Sequence, residues 1–536
     1  MSFGPIIRIA YHVPGVERRR QVVISGNGGA TGGNDARALG VTVRGNEEVR
    51  RVTVHPSVPV VIDEVVATIR VALEDADAIY LNGYNSWTDS VERPIMGRMW
   101  GLTRAPRSVI DAHALDGSGD YRFVSEDARP GHQHGFGYCY LRQGNEVLLI
   151  GSLNEDSGFT VIREDAEAGT LVFAKEPPAR MLEAGEKCEV LGLAVTGGTL
   201  ESAIDRWLML AGIRPREARP ILGYCSWYRR YEAVDVETLR HDLDGVSQVL
   251  GELDLTGMDP VFQIDDGYAK VGDWLECDRQ KFPDGVAVMA REASARGLLP
   301  GLWLAPFVCE RESKLFEEHP EWILRDEHGE MVVAGNNWNG SFALDVNNEE
   351  VREYVADVLR TVTQEWGFGL LKLDFLYAAC MVIHDGLNRG EQMADALDLL
   401  RASVPEGTRL LFCGVPLVSA FGRCEYCRVG QDVGLDWDGK PYARMLQRER
   451  VSTKLSLANA RGRAHLDGRV FRCDPDVLIL REEGVALSAS QRVAMFVTNT
   501  STGGVLLTSD DMGAWNEAQL EKYREAVERF RAYNGC

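Results

Sequence analysis

Three apolar runs of strand length end in carboxylates, and this pattern constrains the fold more than any other feature of the chain. Gly369-Leu370-Leu371-Lys372-Leu373-Asp374-Phe375 is apolar except for one Lys and one Asp. Pro260-Val261-Phe262-Gln263-Ile264-Asp265-Asp266-Gly267 ends in two adjacent acids. In Cys427-Arg428-Val429-Gly430-Gln431-Asp432-Val433, Arg and Asp stand four residues apart. A parallel strand is buried on both faces, so an unpaired charge in its middle is costly. The cost disappears where the side chain enters a wet mouth at the strand's C-terminal end, as on a (β/α)8 barrel.

The surrounding sequence extends this pattern. From residue 216 onward, strand-like runs alternate with amphipathic helical stretches: Ile221–Trp227, Pro260–Asp266, Pro300–Ala305, Gly369–Phe375, Arg409–Val415, Glu425–Gln431, Val470–Asp474 and Gly503–Thr508. Eight such alternations predict a (β/α)8 TIM barrel over residues 216–536, closed by a helix over Glu517–Tyr533. Residues 1–215 instead carry short β-branched runs separated by Gly, Asn and Asp, the pattern of a β-sandwich domain. The expected fold is therefore a multidomain α and β chain of 536 residues. Gly26-Asn27-Gly28-Gly29-Ala30-Thr31-Gly32-Gly33 reads as a loop; with no G-K-[ST] following, it does not read as a phosphate loop.

Composition removes several function classes. A net charge of −22 leaves no basic stripe for nucleic acid. No apolar stretch approaches membrane-spanning length, and no signal-peptide pattern opens the chain, so a cytoplasmic, membrane-free protein is expected. The 11 cysteines follow no disulfide framework, in keeping with a reducing compartment. Cys424 and Cys427 form a C-x-x-C without the second pair that zinc requires. Neither a metal nor another cofactor is expected. Asp265 and Asp266 could ligate Mg²⁺, but no acids on the neighbouring strands complete an octahedral set.

Each candidate residue also has a bland reading. Lys372 and Asp374 could form a structural ion pair, Arg428 and Asp432 likewise, and one of Asp265 and Asp266 could cap the next helix. His132, His134 and His465 read as satisfied polar histidines. Against the bland readings stand the aromatics gathered at the same strand ends, Trp227, Tyr228, Tyr268, Trp274, Trp303 and Trp338, which suit the apolar faces of sugars. Two carboxylates in such a pocket permit glycoside hydrolysis. One attacks the anomeric carbon, and the other protonates the leaving oxygen and then activates water. Lys372 would help to keep Asp374 ionised, and Asp432 would need a drier or more negative setting.

These segments resemble glycoside hydrolase family 36, in the clan of retaining α-galactosidases and α-N-acetylgalactosaminidases. Leu371-Lys372-Leu373-Asp374-Phe375 resembles the K-x-D nucleophile strand, and Gln263-Ile264-Asp265-Asp266-Gly267-Tyr268 the I-D-D-G-W/Y segment. Gly301-Leu302-Trp303-Leu304-Ala305-Pro306 is similar to G-x-W-x-x-P, and Phe412-Cys413-Gly414-Val415-Pro416-Leu417 to C-G-x-P-L. Arg428-Val429-Gly430-Gln431-Asp432-Val433 is similar to R-x-G-P-D-V with Gln431 replacing Pro; Arg472-Cys473-Asp474-Pro475-Asp476 is similar to N-D-P-D with Cys473 replacing Asn. Leu81-Asn82-Gly83-Tyr84-Asn85-Ser86-Trp87 resembles the N-G-x-x-S-W segment of the family's β-supersandwich.

The resemblance implies Asp374 as nucleophile and Asp432 as acid/base. It implies Asp265 and Asp266 on the 4-OH and 6-OH of the terminal sugar, Lys372 on a hydroxyl beside the nucleophile, Arg428 at the 2-position and Trp303 at the ring. Trp227, Trp274 and Cys413 would line the pocket and Trp87 would cap it. A small carbohydrate is the implied partner. A homo-oligomer is compatible with the family, although the usual C-terminal β domain is not evident and the tetramer is correspondingly less expected. The first activity implied is removal of terminal α-D-galactosyl groups. The alternatives are α-N-acetylgalactosaminidase, transglycosylation, and a carbohydrate-binding protein that has lost catalysis.

Overall fold

The structure is a computed structural model that describes residues 4–25, 30–102, 105–125, 129–439 and 448–536. Residues 26–29 of the glycine-rich segment 26–33 expected to form a loop lie outside them. The chain is mixed α and β. Its second part is built on one nine-stranded parallel sheet. Ile221–Cys225, Asp259–Ile264, Leu299–Leu304, Leu370–Leu373, Arg409–Phe412, Tyr426–Arg428 and Arg472–Asp474 follow one another across it, each parallel to the next. On its other side Ile221–Cys225 pairs with Val505–Thr508, which pairs with Val477–Leu478. The two edge strands, Arg472–Asp474 and Val477–Leu478, are consecutive in the chain with only Pro475 and Asp476 between them. The sheet therefore curls strongly.

Burial explains these strands. Every residue of Ile221–Cys225 and of Leu370–Leu373 is buried, Lys372 included, as expected where helices cover one face and packed side chains the other. The covering helices are well signalled. Val236–Gly251 starts from an Asp235–Thr238 capping box and buries Leu239, Leu243, Val246 and Leu250 on one stripe. Arg389–Ala402 starts from an Asn388–Glu391 capping box. The sequence reading missed a small antiparallel sheet of Val308–Glu310, Val333–Gly335 and Ser341–Ala343, inserted after the third parallel strand. It also missed Val477–Leu478, which at two residues is too short for a periodic signal.

The first part forms two seven-stranded antiparallel sheets. Ile7, Ile62 and Phe173 of one share a core with Val52, Leu141 and Leu193 of the other. Alternation then divides the second sheet's side chains. Cys139 and Leu141 enter that core, whereas Tyr138 and Tyr140 join the large cluster formed with the parallel sheet and its helices. No helix among the described residues is long and apolar enough to cross a membrane.

Candidate active site

The acids stand where the parallel strands stop. Asp265 and Asp266 follow Asp259–Ile264, and the Asp265 N–H donates to Ser226 Oγ at 2.9 Å just beyond the first strand. Lys372 Nζ donates to Asp265 Oδ2 at 2.9 Å, and Gln263 Nε2 donates to the same oxygen at 2.9 Å. The alternative Lys372–Asp374 ion pair is therefore not what forms. Burial opposes the lysine's charge, yet attraction to Asp265 above all holds its pKa well above the ordinary value. Neither acid caps the next helix, where Val286 stands at the N-cap.

Asp266 turns the other way, as adjacent residues at a strand end do. Its Oδ2 accepts the Trp338 indole N–H at 2.7 Å. Burial is the main cause that raises its pKa to about 7; the Trp338 bond opposes this, and the charges of Asp265 and Glu232 add to it. Asp374 is buried directly after Leu370–Leu373. It accepts Trp303 Nε1–H at 3.0 Å and the Phe375 N–H at 2.9 Å, with Phe375 in the left-handed region at φ 54°.

Arg428 is buried among three acids. Its Nη1 donates to Asp432 at 2.8 Å, its Nε donates to Asp474 at 3.1 Å, and its Nη2 lies 3.0 Å from Asp476. The bland Arg428–Asp432 pair is thus real, but it is one contact in a wider network. Asp476 also accepts Tyr228 OH at 2.5 Å and the Val433 N–H at 2.8 Å, and burial raises its pKa to about 6 against the pull of Arg428. Asp432 keeps 38% of its side-chain surface open. The dense surroundings of its other side still raise its pKa, with Arg428 the main opposing influence.

Asp374 and Asp432 line one cleft of about 210 Å³ together with Trp87, Phe375, Tyr377 and Glu449. Trp87 reaches it from the first part of the chain. Its indole N–H donates to Cys413 Sγ at 3.3 Å and its ring meets Phe375 edge-on at 5.3 Å. Trp303 and Trp274, both buried, meet edge-to-face with ring centroids 5.7 Å apart. Trp227 packs against Tyr231 at 5.2 Å and is not on the wall of this cleft.

Sequence reasoning did not single out Asp474, Asp476, Phe375, Tyr377 or Glu449 as site residues, and it named Tyr228 only among the aromatics at the strand ends. The Arg472–Asp476 motif carried the only signal for the first two. Of the histidines, His134 bonds Asp120 at 2.6 Å and His465 bonds Tyr138 OH at 2.8 Å. Among the described residues His241, Asp242 and Asp511 come within metal-binding reach of one another, but Arg230 and Arg229 pair with the two acids and none of the three lines the cleft.

Known proteins resemble this chain in sequence and in fold. Residues 216–396 match the Melibiase family model. The resemblance to glycoside hydrolase family 36 stands. The α-galactosidase AgaA of Geobacillus stearothermophilus is 27% identical over 159 residues, which is 29% of this chain and 20% of the relative. An α-galactosidase of Escherichia coli is 27% identical over 31% of this chain and 24% of its own length. The matched stretches thus span about a quarter or less of these curated relatives. Among solved structures, the α-galactosidase TtGalA of Thermus thermophilus, in complex with p-nitrophenyl α-D-galactopyranoside, is similar at 28% identity and TM-score 0.71 over 91% of this chain and 95% of that one. The family 36 AgaA structure shares the fold at 14% identity and TM-score 0.62, over 97% of this chain and 70% of that one.

Proposed function

We propose that the chain is a retaining α-galactosidase built from an N-terminal β-sandwich over residues 1–215 and a (β/α)8 barrel over residues 216–536. The barrel reading rests on the parallel pairing of Ile221–Cys225 with both its neighbours and on the two-residue gap between the sheet's edge strands. The observation that carries the function is that Asp374 and Asp432 share one cleft in unlike settings. Asp374 is buried and held by two N–H donors, and Asp432 is partly open with a raised pKa.

In this mechanism Asp432 begins protonated and Asp374 ionised. The Asp374 carboxylate bonds to the anomeric carbon as the glycosidic bond breaks, and the Asp432 proton passes to the leaving oxygen. Asp432, now ionised, takes a proton from water, which displaces Asp374 and restores both groups. Asp265 and Asp266 bind the 4-OH and 6-OH, Lys372 a hydroxyl beside Asp374, and Arg428 the 2-position. Trp303 orients Asp374 and lies under the ring, backed by Trp274; Cys413 and Trp87 close the pocket, and Trp227, which packs on Tyr231, has no contact role in it. The TtGalA complex with a galactoside supports galactose as the sugar.

Galactose is favoured over N-acetylgalactosamine by one further feature. A Cβ placed on Gly414 would meet Trp87 ring atoms at 2.8 and 2.9 Å. Trp87 therefore fills the space that small residues at Cys413-Gly414 could have left for an acetamido group. Purified protein should release p-nitrophenol from the α-galactoside, more slowly or not at all from the α-N-acetylgalactosaminide and α-glucoside, and Asp374→Asn should abolish release. Proton NMR of the first product formed should show the α-anomer. A β-anomer would overturn retention, and full activity in Asp374→Asn would overturn the nucleophile.

A further inference from the structure

Trp338 has no part in the mechanism above, yet it holds one of its acids. Its indole N–H donates to Asp266 Oδ2 at 2.7 Å, and its ring lies 5.0 Å from Phe375 and 6.0 Å from Trp303. Phe375 follows Asp374 in the chain, and Trp303 donates to the Asp374 carboxylate. The indole thus stands between Asp266 on one side and the immediate neighbours of Asp374 on the other. It also lines a separate small cleft with Asp266, Glu232 and Lys281, whereas Asn336 and Asn337 of the same loop line the cleft of Asp374 and Asp432. The loop is a partition between two polar clefts.

The backbone of that partition is unusual. Trp338 has φ 53° and ψ 42°, Asn339 has φ 57°, and Gly340 has φ 114°. A bulky residue in the left-handed region is an outlier, and such outliers persist where the surroundings over-determine them. The surroundings here are the two short strands that flank the loop, Val333–Gly335 and Ser341–Ala343, and the Asp266 acceptor. Asp266 Oδ2 thus already has a donor within the protein.

We propose that Trp338 is a specificity-determining residue that occupies the hydroxyl-binding oxygen of Asp266 in the free protein and gives it up when the terminal sugar enters. This rests on the reading of Asp266 as a sugar-binding acid. Only a group that donates to Asp266 at least as well as the indole can open the partition. A sugar hydroxyl aimed at that oxygen does so; an apolar or wrongly placed group leaves the indole in position. The apparent affinity for sugar is then reduced by the fraction of molecules in which Trp338 is seated.

The test is a titration of full-length protein with galactose, followed by intrinsic fluorescence and by competition with p-nitrophenyl α-galactoside turnover. The proteins compared are wild type, Trp338→Phe, which keeps a ring and loses the N–H, and Trp338→Gly, which suits the left-handed backbone and tests the proposal if the Phe variant folds poorly. Wild type should show a galactose-induced fluorescence change, and both variants should lose most of it. Both should also bind galactose at least threefold more tightly, because the competing donor is gone. Galactose affinity unchanged or weaker in both variants, with wild type binding normally, would overturn the role of Trp338 and leave the galactosidase reading intact. Wild type that neither binds galactose nor cleaves the galactoside would overturn that reading, and this inference with it.

Discussion

At the scale of single residues, the site separates two acids by their surroundings rather than by their chemistry. Asp432 has a raised pKa because dense protein surrounds its closed side, and Arg428, its main counterweight, is already shared with Asp474 and Asp476. In the proposed mechanism Asp432 is the acid and must be protonated. The galactosidase rate should therefore hold above the ordinary carboxylate range and fall as pH rises through the raised pKa of Asp432. Asp432→Asn should slow alkyl galactosides by about 10²–10⁴, and p-nitrophenyl galactoside far less, because only a poor leaving group needs the proton. Equal losses in kcat/KM on both would contradict the assignment.

Asp266 makes a different prediction, about stability. Its carboxyl titrates near 7 in the folded protein and near 3.8 when unfolded. The folded state therefore binds the extra proton between these values, and stability falls as pH rises through that window. The protonated form's contribution is fully present below about 4 and lost above about 7, on the order of a few kcal/mol. Asp266→Asn, which is neutral at all pH, should flatten that slope and unfold at higher urea than wild type at pH 8. An unchanged pH slope would show that Asp266 titrates like an exposed acid.

At the scale of elements, one helix clamps the loop that carries Trp87. Arg463, at the end of Thr453–Arg463, is fully buried and donates to the carbonyls of Ser86 at 2.6 Å, Asn85 at 3.0 Å and Val429 at 3.2 Å. Asn459 of the same helix accepts the Ser90 N–H at 2.7 Å, and the Ser86 N–H donates to Val415 at 2.9 Å. These bonds span the two parts of the chain and fix Trp87 over Gly414. Truncation in Arg463→Met would strand the carbonyls of Ser86 and Val429, at about 1–3 kcal/mol for each left unsatisfied, whereas that of Asn85 keeps the Thr88 N–H at 3.1 Å. Its urea midpoint should drop sharply, and KM for the galactoside should rise more than kcat falls. A variant as stable as wild type would mean that water replaces the guanidinium.

At the scale of the whole molecule, the two parts share a core. Tyr80, Tyr138, Tyr140 and Trp207 pack in the same apolar cluster as the strands and helices of the parallel sheet. The second antiparallel sheet thus has an apolar surface on both faces, and separating the parts would expose one of them. Unfolding in urea should accordingly be a single transition, coincident by far-ultraviolet circular dichroism and tryptophan fluorescence. Two resolved transitions would show that the parts unfold independently.

The sequence by itself determined where the strands that carry the acids lie, and which acids end them. A charge is affordable at the end of a buried apolar run and not in its middle, so Asp265, Asp374 and Asp432 were legible as local features. Helix starts at Asp235 and Asn388 were legible because caps are local too. Only the tertiary structure decided the partners. Lys372 bonds to Asp265, 107 residues away, rather than to Asp374 two positions on; Trp338 reaches Asp266 across 72 residues; Arg428 collects Asp474, 46 residues later at the end of a strand, and Asp476 just beyond it. The same holds for His134, whose acid Asp120 lies in an irregular segment, and for Trp87, which the antiparallel sheets deliver to Cys413. Local periodicity reports which side chains leave water. Which of them meet depends on strand order and register, and those are set by packing across the whole chain.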